Sequence, residues 1–118
     1  MTIYLSGPMS WYPGDNRELF KEVEKLLLAI MESVTVMNPT TFPPLQSTPD
    51  DSYGEWWAYV QRDLNVIREK RPDMILMLPG WDNSAGALME YIFAKRLNIP
   101  CSELADFIHD QIRKEVKS

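Results

Sequence analysis

The stretch from Met74 to Glu90 constrains the fold more than any other part of the chain. An apolar run, Met74-Ile75-Leu76-Met77-Leu78, stops at Pro79-Gly80, passes Trp81-Asp82-Asn83-Ser84 and enters a helical pattern from about Ala85 to Leu97. A short run that is apolar on both faces reads as a strand central to a parallel sheet. Pro-Gly is a turn, and Ser84 stands where a helix N-cap belongs. In open α/β sheets, ligands bind outside the carboxyl ends of the strands, and free N–H groups at a helix start favour an anion. Glu90 lies six residues beyond Ser84. Helical side chains lean toward the N-terminus, and the residues one turn back, Gly86 and Ala87, are too small to cover a carboxylate. Glu90 is therefore expected to face whatever occupies the crevice. Trp81, Asn83, Ser84 and Gly86 are expected to contact the same occupant.

The remaining elements alternate in the same way. Thr2 to Ser6 is β-prone and closed by Gly7-Pro8, which predicts a first strand. Met9 to Gly14 reads as a loop, with Asp15 or Asn16 as N-cap of a helix from Arg17 to Glu32, in which Phe20, Val23, Leu27 and Ile30 make one stripe. Val34 to Met37 reads as a second strand. Residues 38–52 hold four of the nine prolines, and a loop of that length in a compact domain is usually functional or mobile. A second helix is expected from about Tyr53 to Glu69. Ile99-Pro100-Cys101 suggests a short last strand, and Ser102 a cap for a final helix with Leu104, Phe107 or Ile108, Ile112 and Val116 in one stripe. Alternating strands and helices predict an α/β fold of Rossmann-like or flavodoxin-like type: one domain over residues 1–118, a three-layer sandwich with a small parallel sheet flanked by helices.

Composition excludes several classes. The net charge of −5 argues against binding of a nucleic-acid polymer, which needs a basic stripe. One Cys and one His leave nothing for an intrachain disulfide or a Cys/His zinc site, so no metal and no cofactor are expected. A signal-peptide pattern and a run of ~18 apolar residues are both lacking, which reads as a cytoplasmic protein without membrane contact.

Two further residues invite chemistry. Asp63 falls on the stripe of Trp56, Tyr59 or Val60, and Ile67, where a core residue belongs. A buried carboxylate needs a partner, a shifted acidity or a site. Asp63 is thus either a site residue or a structural one paired with Arg62, Arg68 or Lys70. Tyr4 and Ser6 alternate with Ile3 and Leu5 on the first strand, whose end faces the same crevice; a strand Tyr is as readily core. Gly7 either admits a ligand close to the backbone or simply makes a turn with Pro8. Trp11 and Trp81 fall in loops where a ring could cover a base or sugar, whereas Trp56 and Trp57 suit the core or a dimer interface. His109, alone on the last helix, reads as a surface residue.

Tyr4-Leu5-Ser6-Gly7-Pro8-Met9, with Leu78-Pro79-Gly80-Trp81-Asp82-Asn83-Ser84-Ala85-Gly86-Ala87 and then Glu90, resembles small bacterial and phage proteins of the nucleoside 2-deoxyribosyltransferase-like family, distant relatives of the deoxynucleoside 5′-monophosphate N-glycosidases. The likeness runs from Ile3 to Pro100. It implies that Glu90 attacks the anomeric carbon, that Asp63 assists at the base, and that Tyr4 orients Glu90. It places Ser6, Gly7, Pro8 and Met9 against substrate. Ser84 matches the Ser that touches phosphate in the monophosphate hydrolases, where the transferases carry Asp. The first loop lacks their Gly/Arg-rich clamp, Arg17 being its only basic residue.

The expected function is cleavage or transfer of the N-glycosidic bond of a (deoxy)nucleoside or nucleoside 5′-monophosphate, with a small-molecule substrate and a homodimer sharing its sites. Oxocarbenium character at the sugar is stabilised or captured by a facing carboxylate, and the leaving base needs a proton. Two alternatives stand beside it. One is a non-catalytic nucleotide-binding or sensing module, the other an interaction protein that docks a partner through its tryptophans.

Overall fold

A computed structural model describes residues 1–9 and 16–117. Strand β1 (Thr2–Ser6) is followed by helix α1 (Arg17–Ile30), β2 (Thr35–Met37), α2 (Ser52–Lys70), β3 (Met74–Met77), α3 (Ala85–Arg96), β4 (Cys101–Glu103) and α4 (Leu104–Lys117). The strands form one parallel sheet in the order β2-β1-β3-β4. From β1 the chain moves to one side, and from β3 to the other. The carboxyl ends of these two central strands therefore form the switch point where such sheets open a crevice.

The period of two along each strand sorts the core into two layers. Ile3, Leu5, Met74, Leu76 and Leu78 pack with Phe20, Val23 and Leu27 of α1 and Phe107 of α4. Tyr4, Ile75 and Met77 face the other way, onto Ile67 of α2 and Ala87 and Ala94 of α3. The three-layer α/β sandwich expected from the sequence is the observed architecture. No helix among the described residues is long and apolar enough to cross a membrane.

Several local expectations need correction. The last strand begins at Cys101 rather than Ile99. Pro100 has no N–H to give the ladder, but its carbonyl accepts from Ile75 N–H at 2.9 Å, and pairing runs on from there. Ser102 consequently lies in β4, where its hydroxyl donates to the Glu103 carbonyl at 3.4 Å. Helix α1 stops at Ile30, which is 41% exposed and leaves the stripe to Phe20, Val23 and Leu27. Helix α4 meets the core through Leu104, Phe107 and Ile108, while Ile112 and Val116 stay exposed. Asn16 sits at the start of α1 with φ 61°, yet makes no cap; its amide donates to the Pro8 carbonyl at 2.9 Å instead.

The proline-rich segment after β2 is ordered by a small network. Pro39–Thr41 form one 3-10 turn, and buried Asn38 accepts from Thr40 N–H at 3.0 Å while donating to Glu24 at 3.0 Å. The segment ends at Asp51, whose carboxylate caps α2 through Gly54 N–H at 2.7 Å.

Candidate active site

Glu90 reaches the sheet because α3 presents Ala87, Glu90 and Ala94 on its buried face. Alanines on either side bring the helix close enough for the carboxylate to lie over β1. There it is gripped by two hydroxyls from one strand: Tyr4 OH donates to Oε2 at 2.5 Å and Ser6 Oγ to Oε1 at 2.7 Å. Being two apart, Tyr4 and Ser6 emerge on the same face of β1, in register with Ile75 and Met77. Both donors are neutral, and Glu90 is only 7% exposed. Burial, reinforced by the nearby charge of Asp63, pushes its pKa up to about 8, against the pull of the two hydroxyls and Arg62. Burial and the Glu90 charge likewise hold the Tyr4 phenol well above its ordinary range.

Asp63 is 8% exposed on the inner face of α2 with Val60 and Ile67. The structural reading is observed, since Asp63 is paired with Arg62, and its charge also acts on Glu90. Arg62 donates to its Oδ1 from Nε at 3.0 Å, and the second guanidinium nitrogen stands 2.9 Å away. Burial raises the Asp63 pKa and Arg62 opposes the rise. No buried side-chain oxygen or nitrogen among the described residues lacks a partner.

Sequence reasoning named Arg62 only as one of three partners for Asp63, and missed what else it does. Its third nitrogen donates to the Pro43 carbonyl at 2.9 Å, and the guanidinium lies 5.4 Å from the Phe42 ring centre and 4.9 Å from that of Tyr59. Phe42 in turn leans on Tyr4 at 6.4 Å, and Tyr59 OH accepts from Leu45 N–H at 3.2 Å. The segment from Phe42 to Leu45 is thus strapped beside the carboxylates. An aromatic residue inside a proline-rich loop was the available signal.

The other candidates fall into three places. Ser84 caps α3, accepting from Ala87 N–H at 3.3 Å. Asn83, before it, is exposed and closes a 3-10 turn through its backbone. Gly86 has room to spare, since an added Cβ would meet Val60 and Trp56 at 3.7 and 3.9 Å, ordinary contact distances. Gly7, Pro8 and Met9 have structural partners. A Cβ on Gly7 would sit 2.9 Å from Leu78 Cβ, where the ends of β1 and β3 press together, and Met9 packs on the α1 side of the core. Trp81 is turned away toward β4. Its indole donates to Glu103 at 3.0 Å and its ring lies 5.0 Å from Tyr91, in a hollow of about 280 Å³ that Glu90 does not line. Trp11 lies outside the described residues.

Four groups from three elements therefore converge: Tyr4 and Ser6 from β1, Asp63 from α2, Glu90 from α3. They supply two buried carboxylates in unlike surroundings, Asp63 on a guanidinium and Glu90 on two hydroxyls. Residues 1–102 match the model of a family described as a domain of unknown function (DUF4406), and the chain belongs to that family. No curated protein and no solved structure matches the chain.

Proposed function

We propose that the protein cleaves or transfers the N-glycosidic bond of a (deoxy)nucleoside or nucleoside 5′-monophosphate, with Glu90 as the nucleophile at the anomeric carbon. The observation that carries this reading is the grip of Tyr4 and Ser6 on a buried carboxylate that forms no ion pair among the described residues. A purely structural Glu in that position is a liability, because its charged form is poorly compensated and Gln or Leu would serve the fold better. A nucleophile needs such preorganisation: both oxygens fixed, water thinned out, charge held ready for the sugar cation. Tyr4 and Ser6 orient Glu90, which moves Ser6 from the substrate-contact role expected of it. Asp63 serves the leaving base as acid. Ser84 and the first turn of α3 receive the 5′-hydroxyl or phosphate. Water as acceptor makes a hydrolase and a second base makes a transferase. We read the protein as a cytoplasmic homodimer.

The test is a panel of nucleosides and their 5′-monophosphates incubated with the protein and read by chromatography for free or exchanged base. Base release that Glu90→Gln abolishes supports the reading. Thermal stabilisation by a nucleotide with no release replaces it with the non-catalytic binding module, and neither effect removes nucleotides from consideration.

A further inference from the structure

We infer that Arg62 is a positioning residue that assigns the single proton of the Glu90–Asp63 pair: by hydrogen-bonding Asp63 it keeps that carboxylate ionised, so the proton rests on Glu90 in the free protein. The inference rests on the proposed N-glycosidic chemistry for its purpose, but not for its proof.

The geometry separates the two carboxylates by the kind of donor each receives. Asp63 takes two guanidinium nitrogens, at 3.0 and 2.9 Å, on one oxygen. Among the described residues Glu90 takes only the hydroxyls of Tyr4 and Ser6. Charge-assisted bonds favour an ionised partner far more than neutral ones do. Two buried carboxylates that feel each other cannot both stay charged without cost, so the one lacking a cation keeps the proton. The groups facing Glu90 are Tyr4 and Ser6 from β1 and Arg62 and Asp63 from α2; those facing Arg62 are Asp63, the Tyr59 and Phe42 rings and the Pro43 carbonyl. Arg62 itself cannot drift from its place, because Phe42, Pro43 and Tyr59 hold it from the side away from Asp63.

This resolves a difficulty in the chemistry. An acid at the base must carry a proton, and a nucleophile must not, whereas the free protein has the reverse arrangement. When the anomeric carbon arrives, the Glu90 proton passes to Asp63 and from there to the departing base nitrogen. The Glu90 oxygen forms its bond to the anomeric carbon, and the electron pair of the broken C–N bond leaves with the base. No outside proton is consumed in that half-reaction. The stored proton is the one the base takes away.

The full-length protein tests this by infrared detection of protonated carboxyl C=O stretches from pH 6 to 8, with and without substitution. In the wild type, a protonated-carboxyl signal should vanish in Glu90→Gln and persist in Asp63→Asn. In Arg62→Gln, with the Asp63 titration raised by about one pH unit or more, the proton should be shared with Asp63, so that a protonated-carboxyl signal survives in Arg62→Gln/Glu90→Gln although it is absent from Glu90→Gln alone. Arg62→Lys, which keeps the charge, should leave Asp63 ionised. A wild-type signal that belongs to Asp63, or an Asp63 that stays ionised in Arg62→Gln, overturns the assignment. Should Arg62→Gln not fold, the Glu90→Gln arm decides: a protonated-carboxyl signal that survives there overturns the assignment, and its loss in the folded variant upholds it. Base release is a separate readout. Absence of base release in the wild type counts against the proposed function and leaves the proton placement standing.

Discussion

Tyr4 and Glu90, separated by 86 positions in sequence, meet through a 2.5 Å hydrogen bond between the phenol and one carboxylate oxygen. The pair joins the middle of a central strand to the middle of α3, the helix that follows the neighbouring strand β3. Everything proposed for this site depends on that junction, and it can be tested from several sides.

Glu90→Gln preserves size and hydrogen-bonding reach but removes the charge. Base release should fall by at least ~10³, the scale of losing a principal electrostatic contributor. Circular dichroism should find the variant folded. Retained base release in a folded Glu90→Gln protein would exclude Glu90 as nucleophile.

Stability should depend on pH through the same residue. The folded protein holds the Glu90 proton up to about 8, whereas an ordinary glutamate loses it near 4.5. The folded state therefore binds the extra proton across that window, and its contribution to stability is complete below the lower value. As pH rises from about 4.5 to about 8, it declines by up to ~1.4 kcal/mol per unit. Urea titrations at a series of pH values should detect this slope in the wild type and a flatter one in Glu90→Gln.

Tyr4→Phe removes a donor that favours the charged carboxylate. The Glu90 titration should move further up, by about one pH unit for a charge-assisted bond of ~1.5 kcal/mol or more, and Ser6→Ala should do the same. The alkaline shift of the pH–rate profile is the measurement, and an unmoved profile would mean that the hydroxyls do not touch the working carboxylate.

Gly7→Ala should destabilise the protein by ~1–3 kcal/mol, because a Cβ placed 2.9 Å from Leu78 Cβ forces apart strand ends that have no flexible side chain to yield. Gly86→Ala should cost nothing and could stabilise α3 by ~1 kcal/mol. Comparing the two by thermal melts separates the glycine that packing demands from the one it does not.

Strand–helix alternation made the fold legible, and that Tyr4, Asp63 and Glu90 fall in one cluster was legible from the motifs and the family likeness together. What escaped was decided by tertiary contacts that no local pattern encodes. Trp81 looked like a lid over the crevice, but Glu103 and Tyr91 draw it to the β4 edge. Ser6 looked like a substrate contact until α3 set Glu90 within its reach. Arg62 was visible only as a neighbour of Asp63, because its other bonds go to a loop whose path the sequence does not dictate. Pro100 misled in the opposite sense, marking the strand two residues too early.

The alternation of Ile3, Tyr4, Leu5 and Ser6 also works as a proofreading device. Were β1 to slip by one position against its neighbours, both hydroxyls would be driven into the greasy layer beneath α1 and α4, while isoleucine and leucine would confront the carboxylates. A misaligned molecule is thus disfavoured twice over, by what it wets and by what it dries. The same four residues that build the core guarantee that any chain which manages to fold does so with its reactive groups correctly assembled.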